Sequence, residues 1–189
     1  KGKAIIITTG TKNKQLNIPG EKEFQGKGVS NCAICDGPFF RNKDIIIVGG
    51  GNTGVESAID LSKIVKSIKL IHYKNKLKAD KILVDKLPGL SNVEVIYDHK
   101  LVEIKGDSKV NGIKIEHMQT KKQWPLQADG VFIEIGLLPV SDFVKDTLEL
   151  SPNGEIIIDS RNHTSVEGIF AAGDVTNVPY KQVIIAAGE

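Results

Sequence analysis

Two cysteines separated by two residues, Cys32 and Cys35, are the only thiols of the chain. That spacing lets the sulfurs close a disulfide within one turn or at a helix start, and a thiolate formed there can attack another disulfide. Asp36 follows directly, placed to take or give the proton that such an exchange moves. Asp-Gly is also a common turn, so Asp36 gains its weight from adjacency to Cys35. A zinc site needs two more ligands. His72, His99, His117 and His163 are scattered without metal-ligand spacing, so no metal is expected. Two incidental buried cysteines are the other alternative; a redox pair near a βαβ pattern is the favoured one.

A second set of residues could hold a nucleotide. Gly49, Gly51 and Gly54 fit GxGxxG between an apolar run at 44–48 and a helical pattern at 52–65. Gly49 permits a tight turn, Gly51 lets backbone approach a pyrophosphate, and Gly54 allows close helix-to-strand packing. Asn52 and Thr53 lie inside this loop and count as cofactor-binding with it. The alternative is a purely structural turn. About 20 residues past such glycines an acid would hold the ribose 2′-OH of NAD. Here the second strand ends at His72, followed by Tyr73-Lys74-Asn75-Lys76-Leu77-Lys78. His72, Lys74 and Lys78 offer cations and no carboxylate, which favours the 2′-phosphate of NADPH; a solvated lysine-rich turn is the bland reading.

These residues need a scaffold, and the chain supplies a layered α/β one. Strands are expected at 3–8, 44–48, 68–72 and 93–97, with helices at 52–65 and 80–87 between the last three, a βαβαβ unit. From 101 to 136 turn signals at Gly106-Asp107 and 120–123 predict an antiparallel meander that the run 131–135 closes. Beyond Pro139, strands at 155–158 and 168–172 and a helix from 181 follow a different register. The polar stretch with Pro19-Gly20 and Gly26 is a boundary candidate. A compact insert, 26–138, is therefore expected between two pieces of another domain, 1–25 and 139–189.

Of 189 residues 40% are hydrophobic and 25% charged, which suits a folded core and excludes disorder. A net charge of +2 with 5% aromatics argues for no nucleic-acid partner, and the apolar runs are too short to cross a bilayer. Two cysteines are too few for a disulfide-stapled secreted scaffold, which favours a reducing cytoplasm. Both ends read as cut from a longer protein.

The segments CAICDG, DIIIVGGGNTGVESAIDL and GIFAAGDV, in that order, resemble the low-molecular-weight thioredoxin reductase family of flavoproteins. The resemblance covers nearly the whole chain. It implies a Rossmann-like nucleotide domain carrying the CxxC, inserted between halves of an FAD domain. It further implies that electrons pass from NAD(P)H through FAD to the dithiol, and from there to a thioredoxin-like protein or redoxin domain. Cys35 would face the flavin, Cys32 would attack the partner disulfide, and Asp36 would be the acid-base group. Gly173 and Asp174 look like the family's FAD-binding pair, and Lys181, Gln182 and Val183 begin the helix that faces the flavin. Domain rotation is implied, with hinges at 20–28 and 137–141, as is a homodimer when full length. Residues 7–10 read Ile-Thr-Thr-Gly where the family has Ala-Thr-Gly. The NADPH-dependent members carry HRRxxxR where this chain has His72, Tyr73, Lys74 and Lys78, and lysine lacks arginine's fork. The stretches KADKILVDKL, IGLLP and VPYKQVIIAAGE look closer to the flavoprotein subunit of alkyl hydroperoxide reductase, which uses NADH. The family's first FAD fingerprint is absent from this sequence, so FAD binding by the chain alone is expected to be poor. A ferredoxin-NADP reductase and a non-catalytic NAD(P)H sensor are the competing functions.

Overall fold

The computed structural model describes residues 2–189. The chain divides into two compact units, one of residues 15–136 and the other of residues up to 14 together with 137–189.

The larger unit is built on β3 (Val29–Ser30), β4 (Asp44–Val48), β5 (Ser67–Ile71), β6 (Val93–Ile96) and β10 (Gly130–Ile133), following β1 (Ile5–Ile7) and β2 (Thr11–Asn13) of the smaller unit. These five strands form one parallel sheet in the order β3-β10-β4-β5-β6. The alternation along β4 shows how the layers are made. Ile46 and Val48 pack with Leu101, Ile104, Ile113 and Ile115 of the meander. Ile45 and Ile47 pack on the opposite face with Val55, Ala58 and Leu61 of α2 (Asn52–Leu61). The meander is β7 (His99–Gly106), β8 (Val110–His117) and β9 (Gln123–Gln127). Meander, parallel sheet and helices thus make the three layers of a Rossmann-like α/β fold.

Four details differ from the sequence reading. The run 131–135 does not close the meander; its first three residues lie in β10, between β3 and β4. Val131, Phe132 and Ile133 are buried whichever way they point, the mark of a strand covered on both faces, whereas β9 alternates exposed and half-buried residues. The helix expected at 80–87 is only α3 (Lys81–Val84), followed by a tight turn at Leu87–Gly89, because Pro88 cannot continue an α-helical ladder. Residues 155–158 form no strand; Ile156 alone bridges Leu150 and Thr176. The stretch around Pro19-Gly20 belongs inside the larger unit, since Leu16, Ile18 and Phe24 pack into its core and a Cβ on Gly20 would lie 2.1 Å from the Ile104 carbonyl oxygen.

The smaller unit pairs β1 with β12 (Ile169–Ala171) in parallel, and β2 with β11 (Leu137–Pro139) antiparallel. The two chain passages between units therefore run side by side. Its core gathers Ile7, Val144, Leu148, Ile156, Ala171 and Val175, and it ends in α4 (Val183–Gly188).

Candidate functional site

The dithiol turn hangs from the C-terminal end of β3. Ser30 Oγ accepts the Cys32 N–H at 3.0 Å, which stops the strand. Cys32 then caps the one-turn helix α1 (Ala33–Asp36), its Sγ accepting the Cys35 N–H at 3.2 Å. The two sulfurs form a disulfide across Cα atoms 5.3 Å apart. Cys32 is half-buried and Cys35 exposed. Asp36 is half-buried one residue beyond, and its N–H donates to the Cys32 carbonyl. Ile34 and Phe39, 86% and 82% exposed, flank the pair with uncovered apolar surface.

The glycine loop hangs from the end of β4, two strand positions away. Gly49 has φ +133°, and a Cβ there would stand 2.0 Å from the Glu134 carbonyl oxygen. A Cβ on Gly54 would meet the Gly49 carbonyl oxygen, also at 2.0 Å, so α2 sits directly on the loop. Gly51 differs: nothing lies within 4 Å of its added Cβ, and its missing side chain leaves open space over the loop. Gly49 and Gly51 with Gly50, Thr53, His72, Tyr73 and Lys78 line a cleft of about 480 Å³, together with Leu16, His99, Lys100, Met118 and Glu134. Gly54 supports that cleft from behind and does not line it. Asn52 is turned aside, its side chain bonded reciprocally to Asp80 through Nδ2–Oδ2 at 2.9 Å and the Asp80 N–H to Oδ1 at 2.8 Å.

Beside the glycine loop His72 is only 3% exposed, packed against Gly50, and both its ring nitrogens lack hydrogen-bond partners among the described residues. Burial, reinforced by Lys78 and Lys74, holds its pKa below the usual imidazole value, so the ring is neutral at pH 7. The Lys78 N–H donates to the Gly50 carbonyl at 2.7 Å, tying the lysine-rich turn to the glycine loop. Lys74 and Lys78 bring their ammonium groups to 5.6 and 6.0 Å from the Tyr73 ring centre. A nucleotide fits this cradle: an uncrowded Gly51, two gathered cations and an unpartnered buried imidazole.

In the smaller unit Asp174 and Lys181 line a polar pocket with Thr11, Lys14 and Glu155. The Lys181 ammonium is already engaged, 3.3 Å from Glu155 and bonded to the Thr176 carbonyl. Gln182 precedes α4 without capping it by its side chain, and Val183 is 89% exposed. Gly173 has φ +79° and gives its N–H to Glu189. What this set leaves free for a flavin is the Asp174 carboxylate and the uncapped backbone at 182–183. Among the described residues no cluster of His, Cys, Asp and Glu could hold a metal, and no helix is long and apolar enough to cross a membrane.

Sequence reasoning missed Glu134, His99, Lys100, Met118 and Leu16. Only Glu134 left a signal, as the lone acid in the apolar run 131–136. His99 and Met118 reach the cleft through the meander, whose packing no local pattern reveals. Burial pushes the Glu134 carboxyl up to about 7, against the pull of the Ala33 N–H and the Ser57 hydroxyl.

The family model described as pyridine nucleotide-disulphide oxidoreductase matches residues 1–189. The F subunit of alkyl hydroperoxide reductase in Pseudomonas putida is 48% identical over 190 residues, covering all of this chain and 36% of that protein. The same protein in Staphylococcus aureus strain MRSA252 is 49% identical over 188 residues, again all of this chain and 37% of the relative. The chain thus spans little more than a third of these relatives. Among solved structures, Lactococcus lactis thioredoxin reductase superposes with a TM-score of 0.85 at 38% identity, covering 98% of this chain and 61% of that one. T. acidophilum thioredoxin reductase gives 0.84 at 41% identity with the same coverage.

Proposed function

Because the chain belongs to the pyridine nucleotide-disulphide oxidoreductase family, we propose that it is the central part of an NAD(P)H-dependent flavoprotein that reduces disulfides of a thioredoxin-like protein or a redoxin domain. The observation that carries this reading is the placement of the Cys32–Cys35 disulfide and the glycine cleft on one edge of one parallel sheet. NAD(P)H and FAD, when bound, supply the electron pair.

The chain's own residues do the rest. Gly49 and Gly54 shape the loop, Gly51 admits the pyrophosphate, and Thr53 borders it. His72, Lys74 and Lys78 receive the adenosine ribose. The neutral His72 offers a hydrogen bond without a charge, and the two ammonium groups favour a 2′-phosphate over a bare hydroxyl. Residues up to 14 and 137–189 belong to the flavin-binding part, where Asp174, Gln182 and Val183 hold the group, Gly173 shapes the turn and Lys181 braces it. Cys35 takes up electrons, Cys32 attacks the partner's disulfide, and Asp36 moves the proton between thiol and solvent. Exposed Ile34 and Phe39 give the partner an apolar surface beside the sulfurs. A reducing, cytoplasmic setting suits a pair that must cycle between thiol and disulfide.

The test uses the full-length protein with its flavin. Cys32→Ser should abolish reduction of a redoxin and of an aromatic disulfide reagent, while NAD(P)H still bleaches the flavin. Undiminished thiol formation after removal of both cysteines refutes the reading. Turnover with NADPH against NADH then decides the nucleotide.

A further inference from the structure

Residues 15–18, where the chain enters the larger unit, belong to no helix or strand. The peptide N–H groups of Leu16 and Asn17 meet one side chain instead. Glu21 Oε1 accepts from Leu16 at 2.9 Å and Oε2 from Asn17 at 2.6 Å, so each carboxylate oxygen takes one of two adjacent donors. Asn17 holds φ +55°, the left-handed conformation that asparagine tolerates. The Glu21 N–H donates to the Ile18 carbonyl at 3.3 Å, and the Pro19 carbonyl accepts the N–H of Ile104 at 3.0 Å, which fastens the loop to β7. Glu21 is only 5% exposed. A carboxylate that deep needs donors to replace water, and the two N–H groups are those donors.

What the carboxylate holds in place is Leu16. Its side chain packs onto the core cluster containing Val48, Ile71 and Leu101, and with them and Ile135 it makes the apolar wall of the nucleotide cleft. Val48, Ile71 and Leu101 are set by the ladders of β4, β5 and β7. Leu16 has no ladder, and Glu21 does for it what pairing does for the others.

We propose that Glu21 is a positioning residue for nucleotide binding: its carboxylate sets Leu16 as a wall of the cleft, against which an uncharged ring of NAD(P)H packs. The inference rests on reading the cleft as the dinucleotide site. Glutamine at position 21 has nearly the same size but one acceptor oxygen, and its NH2 group faces the second peptide donor. One N–H then loses its partner, residues 16 and 17 shift, and Leu16 leaves the wall. Direct electrostatics runs the other way, since removal of a negative charge favours an anionic dinucleotide. The sign of the change therefore separates positioning from charge.

The experiment titrates NADPH and NADH into the chain and follows energy transfer from Trp124, after a urea melt has shown each variant to be folded. Glu21→Gln should weaken both dinucleotides by about fivefold, equally for the two and as much in high salt as in low, because an apolar contact is lost. Leu16→Ala should weaken both by about fivefold or more. On the Leu16→Ala background, adding Glu21→Gln should cost less than about a further factor of two, since the side chain it positions is already gone. Unchanged or tighter binding in Glu21→Gln overturns the proposal. So does a full additional loss in the double variant, which marks Glu21 as acting by another route. Should Glu21→Gln not fold, Glu21→Asp takes its place, with the charge kept and the oxygens drawn back by one methylene. Unchanged affinity there, or in Leu16→Ala, overturns the proposal as well. A wild-type chain that binds neither dinucleotide overturns the reading of the cleft itself.

Discussion

Replacing Gly51 and Gly54 separately by alanine should split binding from stability. In Gly54→Ala the new methyl would lie 2.0 Å from the Gly49 carbonyl oxygen and 2.9 Å from its carbon, both backbone atoms that cannot swing away. An ordinary contact needs about 3.5 Å, so α2 or the loop must retreat by more than an ångström from a fully packed position. Val55, Ala58 and Leu61 on that helix are 0, 0 and 2% exposed, and the retreat loosens all three. Overpacking of this kind costs about 1–3 kcal/mol. In Gly51→Ala the methyl meets nothing within 4 Å, and the backbone there, φ −89° and ψ −176°, suits any residue. The loss of a glycine cap costs about 1 kcal/mol or less. That methyl occupies the space assigned to the pyrophosphate, so NAD(P)H affinity should fall by about tenfold or more, equivalent to about 1.4 kcal/mol. The single tryptophan, Trp124, lies in the larger unit with its ring 4.7 Å from His99 at the cleft, so its fluorescence in urea reports that unit alone. Energy transfer from it to the nicotinamide reports binding. A Gly51→Ala protein that binds as well as wild type refutes the placement of the pyrophosphate. A Gly54→Ala protein as stable as wild type refutes the packing.

Removal of cations should separate the two nucleotides: Lys78→Ala weakens NADPH by about tenfold with little effect on NADH, a contrast that shrinks in high salt and is read by titration in each. For Glu134, a carboxyl raised from 4.5 to about 7 keeps its proton in the folded state after the unfolded chain has lost it. Stability of the larger unit therefore falls as pH rises from about 4.5 to 7, and Glu134→Gln flattens that slope in urea melts at several pH values. His72 works in the opposite sense. Its depressed pKa makes stability fall as pH drops below the ordinary imidazole value of 6.5, and His72→Asn removes that loss. Glu21, 5% exposed, accepts the N–H groups of Leu16 and Asn17 at 2.9 and 2.6 Å; Glu21→Ala strands both donors and should cost about 2–3 kcal/mol in the same melts.

What the sequence made legible follows from local chemistry. The glycines of the loop declare themselves because both a positive φ at Gly49 and backbone contact at Gly54 demand glycine. The cysteine pair declares itself by spacing, and β4 by an unbroken apolar run. The stretch 131–135 was ambiguous: it follows three meander strands in sequence, and its pairing with strands 85 and 102 residues earlier is set by the sheet as a whole. The fate of Asn52 was equally hidden, since Asp80, which turns it from the cleft, lies 28 residues away. Among the glycines, position alone does not say which faces open space and which faces backbone.

The strand order explains why an acid belongs where Glu134 stands. In the parallel sheet the dithiol turn leaves the end of β3 and the glycine loop leaves the end of β4, yet these strands are not neighbours. β10 lies between them, pairing Val131 with Val29 on one side and with Ile46 on the other. The first residue past β10 is consequently the one position on that edge with both functional turns beside it. An apolar side chain there would leave the Ser57 hydroxyl without this acceptor; a carboxyl receives it. Burial then draws its titration into the neutral range. Transferring the acid one residue onward, as Glu134→Ile with Ile135→Glu, keeps composition and net charge but loses the Ser57 contact. It should flatten the fall in stability between about pH 4.5 and 7 in urea melts, as Glu134→Gln does. A slope as steep as wild type in that double variant refutes the assignment of this pH dependence to position 134.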